Sequence, residues 1–115
     1  MNRELRVLVQ WEALLHQMLD CTQRFPKSMR FSFVYRIDNL LLEITQTIVK
    51  AQYAPTVSQQ SILIALNSLL AQLRLLLRIS ADRKYLSLGQ LRVFVEELDD
   101  IGFQIHGWLK HLEND

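Results

Sequence analysis

Three histidines, one cysteine and twelve carboxylates are the side chains of this sequence that could carry acid–base, nucleophilic or metal chemistry. A dinuclear carboxylate site in a helical bundle needs Glu-x-x-His on two helices. The residues three before His16, His106 and His111 are Ala13, Phe103 and Trp108, so none of them completes that motif. His106 and His111 are five apart and fall on different helical faces, which makes them a poor metal pair. Asp99 and Asp100 are adjacent and point apart, so they do not form a shared-proton dyad. No arginine precedes a histidine with four to six residues between, which excludes a helical ribonuclease of that pattern. Phosphate-cradling Gly-rich loops are also missing. Cys21 stands alone, so there is no intramolecular disulfide and no multi-cysteine metal site, and its expected place is the core. The residues therefore predict no catalysis, no cofactor and no bound metal.

What remains as chemistry is cationic. The formal net charge is only +1, but it is unevenly distributed. Residues 1–23 carry −1, residues 24–92 carry +7, and residues 93–115 carry −5. Two clusters account for the middle: Arg24, Lys27, Arg30 and Arg36, then Arg74, Arg78, Arg83 and Lys84, with Arg92 soon after. Such a cluster is an electrostatic footprint for RNA or DNA phosphates, and Tyr35, Phe33 or Tyr85 could stack on bases. Equally, the stems of Arg74 and Arg78 could cover apolar surface, or their heads could pair with Glu96, Glu97, Asp99 or Asp100 of a neighbouring chain.

The elements that must position these cations are helical. Only three glycines and two prolines punctuate 115 residues, too few for a β-sandwich or a doubly wound α/β fold. Apolar residues at spacings of three and four predict helices over about 3–23, 32–52 and 57–83, and one starting at Ser87. The expected inner stripes are Leu5, Leu8, Trp11, Leu15 and Met18 in the first helix and Ile37, Leu40, Leu41, Ile44, Ile48 and Ala51 in the second. The fourth presents Leu91, Phe94, Leu98, Ile101, Ile105, Trp108 and Leu112. Ser32 is the expected N-cap of the second helix, and Ser87 with Gln90 that of the fourth. Pro26 and Pro55 break the chain between helices. Short connections make successive helices antiparallel neighbours, so the predicted fold is an all-α, up-down-up-down four-helix bundle in one domain spanning residues 1–115. Both cation clusters then converge on one pole.

The third helix is unusually apolar. From Ile62 to Ile79, thirteen of eighteen residues are apolar, long enough to span a membrane, but Arg74 and Arg78 argue for a buried helix instead. A single bundle needs only one apolar stripe per helix. Leu63, Leu66, Leu70 and Leu77 are therefore expected to be partly uncovered in one protomer and to form a homo-oligomer interface; the alternative is a monomer with this helix at its centre. The polar N-terminal residues lack a signal-peptide pattern, and the expected compartment is the cytoplasm.

Several segments resemble a known family. Arg24-Phe25-Pro26-Lys27-Ser28-Met29-Arg30-Phe31-Ser32 is similar to the K-F-P-(K/R)-x-x-(R/K)-(F/Y)-(S/T) turn of small four-helix-bundle proteins. Leu73-Arg74-Leu75-Leu76-Leu77-Arg78 resembles their L-R-x-L-L-R stretch. Tyr85-Leu86-Ser87, Leu98-Asp99-Asp100-Ile101-Gly102 and Gly107-Trp108-Leu109 resemble their fourth helix. One branch of that family is the accessory variability determinant (Avd) proteins of diversity-generating retroelements; the other is encoded within intervening sequences of bacterial large-subunit ribosomal RNA genes. The Leu-Arg-Leu-Leu-Leu-Arg stretch and the Gly-Trp-Leu ending favour the Avd branch. The resemblance implies a non-enzymatic homopentameric barrel that associates with a reverse transcriptase and with nucleic acid during mutagenic copying of template RNA into cDNA. The near-neutral charge and acidic fourth helix leave a pure protein–protein scaffold as the competing reading.

Overall fold

Asn2 starts the first helix by accepting the Leu5 N–H at 2.7 Å, which satisfies one of the donors a helix start leaves unpaired. The computed structural model describes residues 2–114. In chain order it contains α1 (Arg3–Thr22), a 3₁₀ turn (Lys27–Met29), a π turn (Arg30–Val34), α2 (Tyr35–Tyr53), α3 (Thr56–Asp82) and α4 (Leu88–Glu113). No strand occurs among the described residues. Consecutive helices pack side by side and α1 closes on α4, giving the up-down-up-down bundle, 48 × 24 × 21 Å. Pro55 precedes the first residue of α3, where a fixed φ suits a helix start. Ser87 caps α4 in a reciprocal box: its side chain accepts from Gln90 N–H, and Gln90 Oε1 accepts from Ser87 N–H at 3.0 Å.

The inner stripes of α2 and α4 follow the expected pattern, except that Leu91 and Leu112 at the ends of α4 are half-buried. The α1 stripe does not. Its buried residues are Val7, Trp11, Leu14, Met18, Cys21 and Thr22, while Leu5 faces solvent and Leu8 and Leu15 are half-buried. Apolar residues cover a wide arc of α1, and two polar contacts decide its rotation. Trp11 Nε1–H donates to Thr45 Oγ1 at 2.9 Å, and that hydroxyl in turn donates to Leu41 O. Thr22 Oγ1–H donates to Asp38 Oδ1 at 2.8 Å. Both turn α1 toward α2 at buried or half-buried positions, where an unmade hydrogen bond would be costly.

Ser32 is not the N-cap of α2. It lies inside the π turn, and its hydroxyl points back to Met29 O at 3.5 Å. Helical backbone already runs through residues 27–34, so α2 has no free N-terminus for a serine to cap.

The third helix overturns the expected oligomer interface. Leu63, Leu66 and Leu70 are 0% exposed and Leu77 2% exposed within one protomer. With Leu73 they form the α3 contribution to the core against α2 and α4. Spacings of three, four, three and four bring these five leucines onto a single stripe, and the bundle needs one stripe per helix. The apolar excess lies on the opposite side, at Val57, Ile64 and Leu75. By length and hydropathy α3 is also the one helix among the described residues that could cross a membrane. Leu70→Ala should lower stability by about 2–5 kcal/mol, the usual cost of a buried leucine truncation, read as a drop in thermal midpoint at every protein concentration.

Candidate nucleic-acid interface

Two turns meet at one pole of the bundle: residues 23–34 between α1 and α2, and residues 83–87 between α3 and α4. An aromatic cluster joins them. Phe25 is buried, and its ring centroid lies 5.6 Å from that of Tyr85; Phe33 approaches Tyr85 edge-on, also at 5.6 Å. Phe33 and Tyr85 are half-buried in this contact and are not free to stack on bases, contrary to the expectation for them. Tyr35 is 61% exposed and does fit that expectation. Phe31, 87% exposed, was not singled out by spacing; its position inside the basic turn was the available signal.

Around the cluster stand the cations. Arg24 follows the end of α1, Lys27 and Arg30 ride the connecting turns, and Arg36 opens α2. Arg83 and Lys84 form the α3–α4 turn, and Arg92 lies about one turn into α4. All seven are exposed, and none is within ion-pair distance of a carboxylate among the described residues. The nearest carboxylates by position are Asp20, Asp38 and Asp82, and Asp38 already accepts from Thr22. Arg78 is exposed on α3, more than a turn short of the pole.

Arg74 does not belong with them. Its Nε lies 2.9 Å from Asp99 Oδ1 of the same chain, off the N–H axis, so the contact is an ion pair and not a directed hydrogen bond. The guanidinium passes over Gly102, where an added Cβ would meet Nη2 at 3.1 Å. The pairing weighed for neighbouring chains is thus made within one protomer for this arginine. The acidic stretch of α4 is further engaged by α1: Gln10 Nε2 donates to Asp100 Oδ2 at 2.9 Å and to Glu97 Oε2 at 3.1 Å. Gln104 Nε2 reaches both Asp100 and Gln10 Oε1.

Cys21 is buried beside this pole, and burial pushes its thiol above the ordinary value, with Arg24 pulling the other way. A raised thiol is a weak nucleophile at neutral pH. Among the described residues no group of three His, Cys, Asp or Glu side chains is placed to hold a metal ion.

Lys84 has φ 65°, the only non-glycine residue at positive φ among those described. It closes α3 in a Schellman arrangement: Lys84 N–H donates to Ala81 O at 2.9 Å and Tyr85 N–H to Ser80 O at 2.8 Å. Glycine is the favoured residue there, because a Cβ at left-handed φ is strained. A lysine keeps a charge at the pole at a conformational cost. Lys84→Gly should raise stability by about 0.5–1 kcal/mol, seen as a thermal midpoint a few degrees higher, while weakening any polyanion binding at this pole.

A family model described as bAvd-like matches residues 6–112, nearly the whole chain. No curated protein matches it.

Proposed function

The chain belongs to the bAvd-like family, and from that premise we propose that it is a non-enzymatic accessory protein of a diversity-generating retroelement. It assembles into a homo-oligomer, a pentameric barrel, in the cytoplasm. Through its basic pole it binds template RNA or cDNA, and it associates with the reverse transcriptase during mutagenic copying. The observation that carries this reading is the cluster of unpaired cations at one pole, Arg24, Lys27, Arg30, Arg36, Arg83, Lys84 and Arg92, gathered from the two turns and the helix ends they join. Clustered exposed cations repel one another, and a phosphate backbone relieves that repulsion while releasing its own counterions. The acidic face of α4 favours protein contact as the second part of the role, because it cannot meet a phosphate backbone.

Binding through counterion release is steeply salt-dependent, with log K falling by about 0.7–0.9 per phosphate neutralised for each unit of log salt. Lys27→Ala with Arg30→Ala should flatten that slope by about two units in an anisotropy titration. Arg74→Ala, already paired with Asp99, should leave the slope unchanged. A salt-insensitive interaction, or none, would remove the nucleic-acid role and leave the scaffold reading.

The oligomer draws support from the outer side of α3, where Ile64 is 56% and Leu75 49% exposed with the small Ser61, Ser68 and Ala71 on the same side. No charged residue falls between Val57 and Leu73, so the strip from Val57 to Ala71 can be covered without burying an ion, while Leu75 lies beyond it next to Arg74. Light scattering should report a multimer for the natural chain and a folded monomer for Ile64→Glu with Leu75→Glu. A natural chain that stays monomeric at high concentration would end the assembly proposal.

A further inference from the structure

We propose that the basic pole selects single-stranded over duplex nucleic acid, by stacking unpaired bases on Phe31 and Tyr35; this rests on the nucleic-acid reading above and names the form of ligand it takes. Five aromatic residues lie in or against the turn that carries the cations, and the fold uses only three. Phe25 and Phe33 each pack on Tyr85 and tie the two turns together. Phe31 and Tyr35 contribute to neither the core nor the cluster: 87% and 61% exposed, they make no ring contact with another aromatic among the described residues. Exposed apolar side chains occur elsewhere on this surface, at Tyr53, Val57 and Phe103; what sets Phe31 and Tyr35 apart is that they stand four residues apart among the cations of the turn.

The surroundings decide which partner. Between Arg24 and Ile37 the chain has four cations and no carboxylate, and Lys27, Arg30 and Arg36 are all exposed. Cations interleaved with aromatic faces are the pattern that follows a phosphate backbone while receiving bases, because every base offers a π-face. A duplex presents the same phosphates but keeps its bases stacked inside, so it can use the charges and not the rings. The aromatics therefore add affinity only for an unpaired strand. Phe31 also sits in the π turn, a local widening of the helix that recurs at functional sites.

The test uses the full chain and a short mixed-sequence oligonucleotide, fluorescein-labelled, as a single strand and as its blunt duplex at the same salt. The natural protein should bind the single strand more tightly. Phe31→Ala with Tyr35→Ala removes two stacking faces and should weaken single-strand binding by about thirtyfold or more. Duplex affinity and the salt slope should stay as they were, because no phosphate contact is removed. Phe31→Trp with Tyr35→Phe should keep the natural preference. Both side chains lie outside the core, so circular dichroism should be unchanged in each variant. Unaltered single-strand affinity in the alanine variant overturns the proposal, and so do equal losses on both forms, which would mean the rings only shape the pole. If neither form binds the natural protein, it is the underlying nucleic-acid reading that fails.

Discussion

The contact on which the candidate interface depends is the meeting of Phe25, Phe33 and Tyr85. The α1–α2 connection and the α3–α4 connection are far apart in sequence and would otherwise be two independent exposed loops. Their cations repel, and that repulsion tends to splay the pole open. The aromatic cluster opposes it with buried ring surface and favourable tilted and edge-on geometry, each pair adding about 0.5–1.5 kcal/mol beyond area burial. The like charges stay close because apolar side chains beneath them hold the two turns in place.

The same arrangement explains what was legible in the sequence. In α2 and α4 the stripe read from spacings of three and four coincides with the face the neighbouring helices cover, even though Leu42, Val93 and Phe103 stand exposed on the outside. The cap of α4 is a local pattern, Ser87 with Gln90, and needs no tertiary knowledge. In α1 the apolar arc is wider than the core requires. Its rotation is chosen by Trp11 on Thr45 and Thr22 on Asp38, contacts between residues far apart in the chain. In α3 the difficulty is one of assignment: apolar residues stand on both sides of the helix, and the neighbours reveal that the leucine stripe is the inner one and Val57, Ile64 and Leu75 the outer. Leu63, Leu66, Leu70 and Leu77 face inward because α2 and α4 both lie on that side.

The pole was legible as a charge pattern and illegible as a surface. Antiparallel connectivity brings the clusters together from sequence order alone. Which rings are consumed by packing, and which stand free, depends on the path of the 3₁₀ and π turns, and no periodic pattern announces those. Arg74 likewise reads as one more cation until Asp99 is seen beside it and Gly102 beneath it.

The separation of charge along a molecule 48 Å long has a consequence for encounter kinetics. Positive charge gathers at the pole, while Asp99 and Asp100 lie more than three turns further along α4, roughly 16 Å away at the helical rise. Each protomer thus carries a positive end and an acidic stretch partway along α4. In dilute buffer an uneven field of this kind steers a polyanion toward the positive end before any atom touches. A protein with little total charge can in this way present a strongly charged end without attracting anions over its whole surface.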